Sequence, residues 1–388
     1  MAKSDHPLHS MSSYLGAFPP AVPRKIIDNW VPPRTTVVDP FCGSGTTLLE
    51  ARLSGRPSVG IDLNPLAVAL AQAKAQSVTL EDVIHRLMEL AREFPGDSAL
   101  EVVPEPLTVI FHERTLAQLC YLRRALRLDT PEDLFIRGCL LGIMHGKHRR
   151  GGGTAYLSID MPNTFSMSPE YVRRFVQTNG LVRPPVDAFA KLRERVRWLL
   201  RNGAQVHGPS TKVVHGDAVR LPEILNAAGV RSVAAIVTSP PYLGILRYGA
   251  FNWIRLWFLG FTQFQIDRLL DGTDSLDVYL SFVSSFLTSA ARVVRPDGVV
   301  ALVIGDVIEA GQHVPLAVRL WEEVGDLVPF ELIEISKDDY DATTKTTRIW
   351  GDARKGRATP RDRILVLRRR ARTTRRAVQR MAASCGRA

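Results

Sequence analysis

The sequence predicts an α/β fold, a mostly parallel sheet with an antiparallel strand near its C-terminal edge, plus a mainly helical insertion. Three observations carry this. Short β-branched apolar runs alternate with helical stretches near both ends of the chain. The first two runs each end in an acid, Asp39 and Asp62. Between the two alternating regions lie roughly 130 residues of mostly helical spacing.

Thr35–Asp39 is short, β-branched and preceded by prolines, which reads as a buried strand. The loop Pro40-Phe41-Cys42-Gly43-Ser44-Gly45 follows, then a helical stretch from Thr46 to Leu53. Ser58–Asp62 is the second strand, and Asn64-Pro65 opens an alanine-rich helix with proline in its first turn. Strand, helix, strand, helix implies parallel strands joined by right-handed crossovers. The alternation then lapses. Thr79–Ala91 and Thr115–Leu128 have amphipathic helical spacing, His145–Gly153 is a basic, glycine-rich loop, and Tyr171–Phe175 and Phe189–Arg201 read as helices with arginines along one side. Alternation resumes at Lys212–Asp217 and continues with the strand Ala234–Thr238. A helix near Val278–Val294, a turn Arg295-Pro296-Asp297-Gly298, the strand Val299–Ile304 and two last strands near Phe330–Ser336 and Ile364–Leu367 follow. The resulting division gives residues 1–79 and 211–367 to the sheet-bearing unit, 80–210 to the insertion and 368–388 to a basic, disordered tail.

The 388 residues are 45% hydrophobic, which excludes wholesale disorder. No apolar run approaches membrane-spanning length and no N-terminal signal segment stands out, so a soluble, cytoplasmic protein is expected. The four cysteines, Cys42, Cys120, Cys139 and Cys385, lack paired spacing, which argues against a disulfide framework or a zinc cluster. The net charge of +11 is unevenly placed: residues 368–388 hold eight arginines and no acid, and residues 120–212 hold sixteen Lys/Arg against seven Asp/Glu. A polyanion partner suits such segments, and a solubilising tail suits the last of them equally.

Two constellations carry chemistry. In the first, Asp39-Pro-Phe-Cys-Gly-Ser-Gly-Thr-Thr47 turns from a strand into a helix, where glycines admit a ligand close to the backbone and the helix start offers free N–H groups. Asp62, at the end of the next strand, is placed to accept from ribose hydroxyls. The third glycine of the dinucleotide fingerprint is missing, and no Gly-Lys-Ser/Thr follows to make a phosphate loop. In the second, Thr238-Ser239-Pro240-Pro241-Tyr242 follows an apolar strand directly. Two prolines stiffen the turn, and a hydroxyl, a carbonyl and an aromatic ring are offered together at a strand's carboxyl end.

Together, DPFCGSGTT and TSPPY resemble the S-adenosylmethionine-dependent amino-methyltransferases of DNA, which methylate the exocyclic N4 amine of cytosine or the N6 amine of adenine. The resemblance extends over Phe18-Pro19-Pro20, Asp39–Thr47, Gly60–Pro65, His215–Ala218, Thr238–Tyr242 and Val294–Asp306. The stretches Leu140–Arg174 and Asn252–Trp257 are similar to one prokaryotic subgroup. The resemblance implies a Rossmann-like methyltransferase sheet and a cofactor site made of Phe18, Asp39, Phe41, Gly43, Gly45, Thr46, Asp62, Asn64 and Asp217. Within it Asp39, Gly43 and Gly45 line the methionine part, Asp62 binds the ribose, Asp217 meets the adenine amine and Phe18 packs on the cofactor. Ser239 and the Pro240 carbonyl, followed by Pro241, hold the target amine, and Tyr242 stacks on the base. The implied partner is double-stranded DNA, with a separately acting restriction enzyme as a possible companion and neither metal nor membrane involved.

The chemistry explains those groups. An exocyclic amine conjugated with its ring is a poor nucleophile. Accepting both its hydrogens draws nitrogen toward tetrahedral geometry and exposes the lone pair, after which in-line placement matters most. The base must leave the duplex to react, so a stacking face is needed. No cysteine follows a proline, which removes the covalent route of C5-cytosine methylation. The serine that opens the turn favours cytosine over adenine within the resemblance. For the insertion, target recognition and a structural lid both stand open. His145 and His148 lack companion ligands for a metal, and Trp253 and Trp257, four apart on one helical face, suit core packing or base stacking. Three other functions share parts of this pattern: an RNA guanine-amino methyltransferase, whose proline turn usually opens with Asp or Asn, a catalytically silent DNA-positioning subunit, and a nicotinamide oxidoreductase, for which no catalytic Tyr-Lys or His-Arg arrangement accompanies the glycine loop.

Overall fold

A computed structural model describes residues 5–148, 153–163, 165–204, 206, 208–241, 247–270, 275–309, 312–339 and 361–370. Its strands are β1 (Val37–Asp39), β2 (Ser58–Asp62), β3 (Thr211–His215), β4 (Val233–Thr238), β5 (Val294–Gly305), β6 (Val307–Glu309), β7 (Gln312–Val314), β8 (Phe330–Asp339) and β9 (Arg361–Arg369). Seven of them form one sheet in the order β3-β2-β1-β4-β5-β9-β8, and β6 pairs with β7 in a separate hairpin. The first five run parallel, whereas β9 is antiparallel to both β5 and β8. This is the Rossmann-like, mostly parallel sheet with an antiparallel C-terminal edge that the sequence predicts.

β1 and β4 are buried along their whole length, as central parallel strands covered on both faces must be. Alternate side chains divide between the two faces. Val38, Ile236, Val300 and Leu302 pack with Val283, Phe286 and Leu287 of the helix Leu276–Val293. Val37, Ala235, Val237 and Ala301 pack with Val22, Ile26 and Ile27 of the helix Ala21–Trp30.

The helices Leu80–Glu93, Glu105–Ile110, Glu113–Ala125, Pro131–Ile143, Pro169–Asn179 and Ala188–Leu199 occupy the stretch between β2 and β3. They share one apolar core with Leu8, Met11 and Tyr14, with the helix Pro65–Ala75 and with the helix Tyr248–Leu259. Two glycines explain how closely they dock. A Cβ at Gly138 would stand 2.2 Å from Ala73 Cβ, and one at Gly142 would stand 1.9 Å from the Met11 carbonyl oxygen. Close approach thus outweighs the helix-weakening tendency of glycine in Pro131–Ile143.

Two boundaries differ from those read in the sequence. Pro296, Asp297 and Gly298 do not precede β5 but lie within it; Asp297 takes φ 63°, and the pairing with β4 shifts register between Val233 and Ala235, an outward bulge in place of a free turn. Arg368 and Arg369, assigned to the basic tail, belong to β9, where they pair with Val299, Glu331 and Phe330. The rest of that tail from residue 371, and the loop residues 149–152, lie outside the described residues. Among the described residues no helix is long and apolar enough to cross a membrane.

Candidate active site

A cavity of about 260 Å³ opens over the carboxyl ends of β1, β2 and β4 and the residues just after β3. The strand order reverses between β1 and β4, and such a switch point leaves a crevice for ligands.

The glycine loop forms its floor. Gly43 takes φ 49° and Gly45 φ 84° at the start of the helix Thr46–Leu53, conformations that glycine reaches without strain. Gly43 faces the cavity with Phe41 and Thr46. Asp39 and Gly45 were expected to line it too, but they stand behind the wall. Asp39 is buried and accepts from the Thr238 hydroxyl and from the Phe41 N–H at 3.2 Å, so it fastens the glycine loop to β4. Gly45 sits against the helix behind it, where a Cβ would lie 3.1 Å from Ala71 Cα. Burial pushes the Asp39 carboxyl up to about 6, although the Thr238 hydroxyl and the Phe41 N–H pull the other way.

Asp62 reaches the cavity from the end of β2. One carboxylate oxygen accepts from the Gly43 N–H and the other from the Asn64 N–H, both at 2.8 Å. Loss of solvent again dominates, raising this carboxyl to about 6 against those two donors. Asn64 caps the helix Pro65–Ala75, accepting from the Leu66 N–H at 3.0 Å. Asp217, exposed, caps the short turn Ala218–Arg220 and lines the same cavity. Phe18 lines it from the N-terminal segment, and Phe41 is braced by Phe282 and Phe286, with ring centroids 5.8 and 5.1 Å away.

Ser239, Pro240 and Pro241 line the wall after β4. The Ser239 hydroxyl oxygen is buried and has no hydrogen-bond partner among the described residues. Tyr242, expected to stack on the base, lies outside the described residues. The cavity therefore brings together ten of the expected site residues and leaves Asp39 and Gly45 in support.

Other wall residues were not foreseen. Tyr14 and Leu15 come from the N-terminal segment, Tyr248 from the start of the helix Tyr248–Leu259, and Leu269 and Leu270 from beyond it. Tyr14 and Tyr248 stack at 5.9 Å between centroids, and the Tyr14 ring passes over Gly43, 3.3 Å from where its Cβ would be. The sequence signal for Tyr14 is its place four residues before Phe18, in the N-terminal segment already expected to reach the site.

The remaining candidates have structural partners. Trp253 is buried and donates its indole N–H to the Met167 carbonyl at 2.7 Å, and Trp257 lies under the Arg123 guanidinium; both pack against the helical core. The buried His145 approaches the Ser166 hydroxyl, and His148 meets the Ser158 carbonyl. Several insertion arginines already have partners: Arg173 pairs with Glu105, Arg174 with Glu170, and Arg195 donates to the Ser10 and Met11 carbonyls.

Residues 3–73 match the family described as DNA methylase. A 135-residue stretch is 23% identical to the type II methyltransferase M.MjaII of Methanocaldococcus jannaschii, covering 33% of this chain and 25% of that protein. A 65-residue stretch is 45% identical to the type II methyltransferase M.ScaI of Streptomyces caespitosus, covering 16% of this chain and 21% of that protein. The matched stretches thus span a quarter or less of these curated relatives. Among solved structures, TrmN from Thermus thermophilus is 13% identical at a TM-score of 0.36, over 93% of this chain and 52% of that one. The family match and both curated relatives support the DNA amino-methyltransferase family to which the motifs point.

Proposed function

We propose that this chain moves a methyl group from S-adenosylmethionine to the N4 amine of a cytosine flipped out of double-stranded DNA. The residues present suit that cofactor: an acid at the end of β2 for the ribose, Asp217 for the adenine amine, aromatic walls from Phe18 and Phe41, and a glycine loop open to the amino-acid end. When bound, the cofactor supplies an electrophilic methyl group on a sulfonium.

The observation that carries the reading is the Ser239 hydroxyl, buried in the cavity wall without a partner among the described residues. A buried hydroxyl left unpaired costs about 1–3 kcal/mol, which a ligand N–H at that position would offset. Ser239 accepts one amine hydrogen and the Pro240 carbonyl the other. Pro240 and Pro241 hold that pair rigid, so the nitrogen lone pair is aimed without the amine first losing a proton; one of its two hydrogens leaves after the methyl group is taken up. The choice of cytosine over adenine rests on the resemblance, in which a turn opened by serine, here Ser239, goes mostly with the N4 amine.

The test is methylation of unmodified duplex DNA and, in parallel, of RNA, followed by digestion to nucleosides and mass analysis. N4-methylcytosine in the DNA digest is expected. N6-methyladenine without N4-methylcytosine would overturn the choice of base and leave the site standing. Methyl transfer to RNA alone would overturn the choice of nucleic acid.

A further inference from the structure

Lys74, near the end of the helix Pro65–Ala75, is 2% exposed, and its ammonium donates to the Ser44 hydroxyl at 3.2 Å. Ser44 is itself buried, lies between the two glycines of the loop and lines the cavity. Among the described residues no carboxylate stands within ion-pair distance of this ammonium. The elements packed around it bring groups that are engaged elsewhere or uncharged. From the glycine loop comes the Cys42 thiol, whose own burial holds it protonated. From the N-terminal turn comes His9, which shares Glu50 with Arg24, at 2.7 and 2.8 Å. Arg52 is bound to the Ala75 carbonyl, and Arg137 to the Gln72 side chain. A buried ammonium held by one neutral hydroxyl is poorly compensated, and the direct route from it to a ligand runs through Ser44.

We infer that Lys74 is a positioning residue for the carboxylate of the ligand's amino-acid end. The Ser44 hydroxyl accepts from the ammonium and donates its own proton to the carboxylate. This rests on the reading of the cavity as an S-adenosylmethionine site. Burial lowers Lys74 to about 8. A carboxylate ligand favours the charged lysine, so this contribution to affinity is complete below that pH and lost as pH rises through it.

The experiment is calorimetry with two probes, S-adenosylhomocysteine, which has the amino-acid end, and 5′-methylthioadenosine, which lacks it. Lys74→Met and Ser44→Ala are each compared with the wild type, the second serving if the first does not fold. Each variant is expected to weaken S-adenosylhomocysteine by about ten- to a hundredfold, the range for a hydrogen bond to a charged group, and to leave methylthioadenosine unchanged. Between about pH 7 and about pH 9 the wild type should lose more affinity for S-adenosylhomocysteine than Lys74→Met does, since the ligand's own amine titrates equally in both. Unchanged S-adenosylhomocysteine affinity, or equal weakening of both probes, would overturn the role. Failure of the wild type to bind either probe would instead overturn the reading of the cavity.

Discussion

The side-chain amide of Asn64 donates to the Tyr14 hydroxyl at 3.0 Å while its oxygen caps the helix Pro65–Ala75. One residue thereby ties the N-terminal wall of the cavity to the end of β2. Burial pushes the Tyr14 hydroxyl well above its usual range, so it stays a neutral hydrogen-bonding group. Asn64→Ala removes both bonds and should cost about 0.5–2 kcal/mol for the cap alone. Tyr14→Phe should cost about 0.5–1.5 kcal/mol. In chemical denaturation the double variant should lose less than the two single losses added together, because the shared bond is counted twice. Strict additivity would show that the Asn64–Tyr14 bond contributes nothing.

Asp62→Ala should weaken S-adenosylhomocysteine binding by roughly 1–3 kcal/mol by leaving ribose hydroxyls without an acceptor. It should also loosen the loop, since the same carboxylate holds the Gly43 and Asn64 N–H groups. Asp62→Asn separates the two effects because it keeps one acceptor. The carboxyl sits at about 6, so wild-type affinity should fall as pH drops below that value, and the fall should be absent in Asp62→Asn. Calorimetry across that range reads both; equal pH profiles would remove Asp62 from the ribose contact.

Asp39 gives a stability signature of the opposite kind. Its folded carboxyl is raised from 3.8 to about 6, so between those values the folded chain binds a proton that the unfolded chain releases. Stability must then increase as pH falls through that window and decrease as pH rises through it. Asp39→Asn cannot titrate. The melting temperature of the wild type should gain on that of Asp39→Asn between about pH 6 and about pH 4. A constant difference would place the carboxyl near its ordinary value.

Much of this was legible because strands and motifs are local. Val37-Val38-Asp39 and the apolar run ending at Thr238 need no partner to be recognised, and the residues that follow them inherit their place at the strand ends. The cavity's far wall was not legible. Tyr14 and Tyr248 stand 234 residues apart in the chain and meet through a packed core. Nor does the sequence show that Asp39 turns away from the cavity, a matter decided by the Thr238 hydroxyl on the neighbouring strand. Pro296-Asp297-Gly298 carries every mark of a turn, yet pairing with β4 on both sides makes it a bulge.

Ser239→Ala should leave S-adenosylhomocysteine affinity unchanged and sharply reduce methyl transfer to DNA. Its stability effect sets it apart from an ordinary core mutation. The hydroxyl has no partner to lose among the described residues, so removing it should leave the denaturation midpoint unchanged or raised. A lowered midpoint together with undiminished transfer would make Ser239 a structural residue.

The C-terminal arginines divide at Arg370, whose N–H still bonds the Pro329 carbonyl. A truncation at Arg368 would strip β9 of residues paired with β5 and β8, and weakened binding would then report impaired folding. Removing residues 371–388 keeps the strand whole and takes away five arginines. Arginines of such a segment that touch phosphates release counterions without reading bases. The truncated chain should therefore bind all duplexes more weakly by a similar factor, with a shallower dependence of affinity on salt and an unchanged preferred site. The slope falls by about 0.9 for each phosphate that the truncated chain no longer neutralises, so the change in slope counts how many of the five arginines touch DNA. Titration of specific and nonspecific duplexes at several salt concentrations gives that slope. Selective loss of the preferred site, with nonspecific binding intact, would make the segment a reader of sequence.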